Sequence, residues 1–155
     1  MDFSKYVSSI GKLEEVDVSL SNQLKNYLYP IIGCCQEVHK EMGPFLNEYM
    51  YQDALNICLE EHGYTGENLK KEYSFTSMFH NKVIQHTHKV DFLINNKVFI
   101  ECKAIERLGA EQRQQLWNYM RLSGIKIGIL YNFAPIKDQV EKYYLDTEKQ
   151  KIYMF

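Results

Sequence analysis

The amino-acid sequence predicts a mixed α/β domain, a central sheet covered by helices, and three observations predict it. Apolar residues recur with helical spacing across residues 30–61. The period then switches to the alternation of strands across 71–105, and a third helix and an apolar strand follow over 110–131. Composition allows one core for all of these: 155 residues, 45% hydrophobic and 25% charged, match the globular average. A chain near this length buries about two-thirds of its unfolded surface around a single core. With no biased tract and no internal repeat, disorder and solenoid architectures are poor explanations.

Residues 1–25 carry no strong period and read as an N-terminal extension or a short extra helix, so the domain is placed at 26–155. Pro30 suits a first helical turn. Ile31, Cys35, Val38 and Met42 then recur at the spacing of a buried stripe that closes at Gly43, predicting a helix over 30–42. Pro44 can open a second helix that runs to about residue 61 and stops at His62-Gly63. Tyr51, Leu55, Cys58 and Leu59 share one of its faces, and counting back puts Glu48 on that face too.

Strands follow over 71–79, 83–94 and 97–105, separated by His80-Asn81-Lys82 and by Asn95-Asn96, which predicts an antiparallel meander. A third helix spans 110–122, ends at Ser123-Gly124, and leads into the apolar strand 125–131. Residues 136–144 fit helix or strand, and 151–155 read as a short terminal strand.

Charge and composition narrow the function. The longest apolar stretches fall short of the roughly 20 residues that span a bilayer, so membrane insertion is not expected. The first residues lack the basic-then-apolar order of a secretory signal, and the expected location is the cytoplasm. Cys34 and Cys35 are adjacent while Cys58 and Cys102 stand apart, which forms neither a CxxC zinc pattern nor a disulfide framework; buried free thiols are expected. A net charge of −2 provides no global field for nucleic acid. Locally the sign reverses. Between His80 and Arg107 lie Lys82, Lys89, Lys97, Lys103, Arg107 and three histidines, against Asp91, Glu101 and Glu106. If two of those acids hold a cation, the segment offers positive charge to a phosphate.

The most informative stretch runs from Asp91 to Lys103. Period 2 puts Glu101 and Lys103 on one face of their strand, with Val98, Ile100 and Cys102 on the other. Desolvating a carboxylate in so apolar a strand costs several kcal/mol unless a cation or donor compensates. Whether Asp91 joins them depends on hairpin register, because facing residues share a face. A two-residue Asn95-Asn96 loop would send Glu101 to the far side from Asp91. A three-residue loop, with an Asn in the left-handed conformation, puts Asp91, Glu101 and Lys103 together. The odd-length loop or an equivalent bulge is predicted.

Asp91 followed by Glu101-Cys102-Lys103 resembles the motif of the PD-(D/E)XK nuclease superfamily, with Val90 in place of the motif's proline. Residues 31–51 are similar to the group named after its GxxExxY signature, with Gly43, Glu48 and Tyr51 in place and Phe45 standing for the signature's glycine. Gln115-Leu116-Trp117-Asn118-Tyr119 matches the QxxxY element of exonuclease-like branches. The resemblance implies a restriction-endonuclease-like core, and a nuclease with nucleic acid, DNA by resemblance only, as its partner. A domain this short has no separate DNA-reading module, so a homodimer or protein partner is expected to help it engage substrate.

Phosphodiester cleavage needs a nucleophilic water, neutralised phosphate oxygens and a stabilised leaving alkoxide. Hard oxygen ligands suit Mg²⁺ or Mn²⁺. Asp91 and Glu101 fit as metal ligands, with the Cys102 backbone carbonyl as a third and Glu48 completing the set from its helix. Lys103 serves to offset developing charge, ranked above proton abstraction. Gln115 and Tyr119, at i and i+4, face one way and position water or phosphate in second rank. Each feature alone has a plain account: a surface salt-bridge cluster worth about 0–1 kcal/mol for the strand residues, a dipole-favoured acid for Glu48. The joint match favours the nuclease. The alternative is a nuclease-fold module with little or no turnover that binds nucleic acid or a protein partner. His86 and His88, a His-x-His pair, are weak zinc candidates with Cys102 or Asp91.

Overall fold

The computed structural model describes residues 10–155. Strand β1 (Gly11–Lys12) and helices α1 (Leu13–Val16), α2 (Val18–Met42) and α3 (Glu48–Glu61) come first, followed by a 3-10 turn at Gly66–Asn68. Strands β2 (Leu69–Phe79), β3 (Lys82–Ile94) and β4 (Val98–Lys103) precede helix α4 (Ala110–Ser123). Strands β5 (Ile127–Asn132), β6 (Gln139–Asp146) and β7 (Lys151–Met154) close the chain. Among the described residues the strands form one mixed sheet in the order β1-β7-β6-β5-β4-β3-β2, parallel at β1–β7 and β4–β5 and antiparallel elsewhere.

Helices cover both faces. On one side α2 and α3 pack Leu28, Ile31, Cys35, Tyr51 and Leu55 against Phe92, Ile100, Cys102 and Tyr131. On the other, α4 packs Leu116, Trp117 and Met120 against Leu93, Phe99 and Leu130. Strands β4 and β5, central and covered on both sides, are therefore apolar along nearly their whole length. Close approach of α4 explains Gly128: a Cβ there would meet Met120 Sδ at 2.6 Å and Leu116 at 3.2 Å.

Two helix starts differ from the sequence expectation. The first helix begins at Val18 rather than Pro30 and runs straight through the boundary placed at residues 25 and 26. Asp17 caps it by accepting the Leu20 N–H at 3.0 Å, and Leu24, Leu28 and Ile31 continue one buried stripe through Pro30. Proline inside a helix costs about 3 kcal/mol; the stripe on both sides of it holds the helix together. Residues 1–9 of the expected extension lie outside the described residues.

The second helix begins at Glu48, not at Pro44. Gly43 and Phe45 both adopt positive φ, 78° and 68°, which ends one helix and postpones the next. The Tyr51 hydroxyl ties this loop down, donating to the Gly43 carbonyl at 2.6 Å and accepting the Leu46 N–H at 3.1 Å, while its ring stacks on Phe133 at 5.0 Å. Phe45 itself is 74% exposed.

The odd-length loop is present. Ile94 pairs with Val98, Leu93 with Phe99 and Phe92 with Ile100, leaving Asn95-Asn96-Lys97 as the connection. Asn95 and Asn96 both have φ of 54°, and the Lys97 N–H closes the turn on the Ile94 carbonyl at 3.0 Å. Residues 136–144, open to either reading, become the strand β6.

Candidate active site

Backbone pairing between β3 and β4 stops at Phe92–Ile100, and side chains take over the next step. Glu101 Oε1 accepts the Asp91 N–H at 3.0 Å, and Asp91 Oδ2 accepts the Cys102 N–H at 2.7 Å. These two bonds hold Asp91 against Glu101 where the regular ladder ends, and Glu101, alternating with Ile100 and Cys102 of the α2–α3 layer, faces the α4 side of the sheet. Lys103, one strand repeat further, brings Nζ to 3.6 Å from Glu101 Oε2. The three residues expected to converge do so.

The electrostatics are those of a site short of positive charge. Glu101 is only 4% exposed. Burial pushes its carboxyl well above the usual range, the Asp91 charge adds to this, and Lys103 offsets part of it. Asp91 is raised too, by burial first and then by Glu48 and Glu72, against the Cys102 N–H and Lys103. Four acids thus surround one ammonium.

Glu48, at the first position of α3, is close enough for its charge to raise both strand acids. Glu48, Asp91 and Glu101 do not bring their carboxylate oxygens all within 4.8 Å of one another. Among the described residues, the group of His, Cys and acid side chains whose ligand atoms all lie within 4.8 Å is Cys34, Cys58 and His62. Like charges without a counter-ion separate, and Glu48 bonds Gln52 Nε2 at 3.2 Å instead. Among the described residues His86 and His88 form no such group with Cys102 or Asp91, and their rings sit against each other at 4.9 Å. The Cys102 thiol is buried in the layer of α2 and α3, with its pKa pushed up by that burial, so its candidate ligand is the backbone carbonyl.

Helix α4 supplies the far wall. Gln115 Oε1 accepts from Lys103 Nζ at 2.9 Å, and the Gln115 side chain also hydrogen-bonds the Tyr119 hydroxyl in the sense that lowers its pKa, as a donating amide does. Burial and the nearby Glu101 charge raise the Tyr119 pKa. A groove of about 510 Å³ opens beside this chain, lined by Lys103, Gln115, Asn118, Tyr119 and His88. Nothing in the sequence singles out Glu72. It lies between the pairs Lys71–Phe92 and Tyr73–Val90, across from Asp91, with a φ of 52° that side chains rarely adopt. Its signal is tertiary: a strained residue whose charge reaches the site.

A mixed sheet between helix layers, with an acid on one strand and an acid-x-lysine on the next, has the layout of a restriction-endonuclease-like domain. Residues 14–143 match the family described as the PD-(D/E)XK nuclease superfamily, and the chain belongs to it. No curated protein matches the chain. A solved structure titled "Crystal structure of SSO0001" is similar, at 23% identity over 67% of this chain and 56% of that one, with a TM-score of 0.45. The chain thus spans little more than half of that protein's length. No helix of the described residues is long and apolar enough to cross a membrane.

Proposed function

We propose that this domain is a metal-dependent nuclease of the GxxExxY group that hydrolyses phosphodiester bonds in DNA. The observation that carries the reading is the buried carboxyl pair: Asp91 and Glu101 are linked through each other's strand by two hydrogen bonds, both are raised by burial, and the ammonium 3.6 Å from Glu101 is the only cation paired with them among the described ion pairs. Two hard oxygen donors that a protein keeps desolvated without a matching cation fit Mg²⁺ or Mn²⁺. Asp91, Glu101, the Cys102 carbonyl and Glu48 would hold the ion. When bound, it supplies positive charge beside the phosphate and makes water more acidic.

The chain's own residues then have distinct tasks. Lys103 places positive charge where negative charge builds on the phosphoryl oxygens. Gln115, bonded to Lys103 and Tyr119, fixes the lysine's direction and marks the groove wall where substrate lies. His88, Asn118 and Tyr119 offer polar and aromatic contacts along that groove. A second copy or a protein partner would extend a groove this short. Four free, buried thiols support a reducing, cytoplasmic setting.

The test incubates the protein with linear, circular and single-stranded DNA plus Mg²⁺ or Mn²⁺, beside Asp91→Ala and Lys103→Ala. Cleavage that needs metal and is lost in both variants is expected. Binding without cleavage would instead favour an inactive nuclease-fold module, and cleavage that survives both substitutions would overturn the assignment.

A further inference from the structure

A second cluster of metal-binding chemistry lies away from the acids. Helix α2 presents Cys34 and Glu37 at i and i+3, and the end of α3 presents Cys58 together with His62, the residue that caps the helix, so both pairs project between the two helices. The sulfurs of Cys34 and Cys58 and a ring nitrogen of His62 all lie within 4.8 Å of one another. Cys58 Sγ donates to Glu37 Oε2 at 2.6 Å and sits 3.8 Å from His62 Nδ1. We propose that Cys34, Cys58 and His62 form a structural zinc site that clamps α2 to α3, with Glu37, bonded to Cys58 but outside that 4.8 Å group, moving in as the fourth ligand.

The geometry and the donors agree. Tetrahedral arms of about 2.3 Å to sulfur and 2.0 Å to nitrogen set neighbouring donors about 3.5–3.8 Å apart, the spacing already found between Cys58 and His62. Two thiolates and an imidazole select a softer ion than the Mg²⁺ or Mn²⁺ suited to the carboxylate site. His62 Nδ1 also lies 2.8 Å from the Cys58 carbonyl, a hydrogen bond that holds the ring beside the sulfurs without metal and that ligation through Nδ1 replaces. The sulfurs are buried whereas His62 and Glu37 reach solvent, which gives an ion its way in. Along α3, ten residues separate Cys58 from Glu48, about 15 Å of helix, so this site stands apart from the nuclease reading and does not depend on it.

The experiment titrates the full chain, reduced and metal-free, with Co²⁺ and follows its absorption. One equivalent should produce thiolate-to-cobalt charge-transfer absorption and the strong visible bands of tetrahedral cobalt, and Zn²⁺ should erase both. Asp91→Ala should keep the spectrum, and Cys58→Ser should lose it. His62 is exposed, so His62→Ala keeps the fold and should bind at least tenfold more weakly, with the thermal stabilisation by Zn²⁺ reduced in step. A wild type without thiolate–cobalt absorption, or the same affinity in His62→Ala and Cys58→Ser, would overturn the proposal. So would a Cys34–Cys58 disulfide in protein whose reduced form takes up no metal.

Discussion

Glu101→Gln should make the domain more stable and less active at once. The amide keeps the side chain's volume and can still accept the Asp91 N–H, but it removes the charge that burial and Asp91 oppose. The sign follows from linkage. An acid whose folded pKa lies above its unfolded value stabilises the fold fully below the unfolded value of about 4.3, and that stability is lost as pH rises through the raised folded value. Lys103 at 3.6 Å returns about 4.6 kcal/mol at an effective dielectric of about 20, and desolvation with the Asp91 charge exceeds it. A net cost of about 2–4 kcal/mol for the ionised side chain is the expected difference of such terms. Thermal unfolding in metal-free buffer should show Glu101→Gln melting roughly 5–15 °C above wild type at pH 9 and close to it at pH 4.5. Mn²⁺ should raise the midpoint of wild type alone, and DNA cleavage by the variant should fall at least about 100-fold. A variant that melts at or below wild type at pH 9 without metal would refute the claim that this carboxylate is held at a cost.

Two further outcomes follow from the same coordinates. Arg113 grips Glu141 with Nε and Nη2, each at 2.7 Å, and although burial pushes the Glu141 carboxyl up, the arginine and the Tyr143 hydroxyl bring it below the usual range. That stability is present above about pH 4.3 and lost as pH falls through the lowered value, so Arg113→Ala should cost about 2–3 kcal/mol in urea at pH 7 and clearly less at pH 3, a gap that must shrink if the pairing is correct. Glu72 sits at a φ of 52°, which costs a non-glycine residue about 1 kcal/mol; Glu72→Gly should therefore equal or exceed Glu72→Ala in stability despite glycine's entropy, and Glu72→Ala proving the more stable would show that the strain is not there.

Much of the sheet was legible because its information is local. Alternation within residues 98–103 decides which side chains share a face, and a pair of asparagines able to adopt positive φ decides the register, so the convergence of Asp91, Glu101 and Lys103 is written in local spacing. The start of α2 was obscured by Pro30, whose local preference for a first turn is overridden by an apolar stripe buried on both sides of it. Helix α3 starts late because the strain in the Gly43–Phe45 loop is held by Tyr51 and Phe133, residues that no short window contains together.

Spacing within a few residues was enough for the order of the elements from the long helix ending at Met42 to β5, and for the faces of the β4 residues that carry Glu101 and Lys103. Tertiary structure alone decided the parallel pairing of β1 with β7, the strained Glu72 opposite Asp91, the standing of Glu48 at electrostatic reach of the strand acids without all three closing to 4.8 Å, and the meeting of Cys34 with Cys58 and His62. Those depend on how two helices and the ends of the chain pack, and long-range packing is set by the whole core at once rather than by the period of any segment.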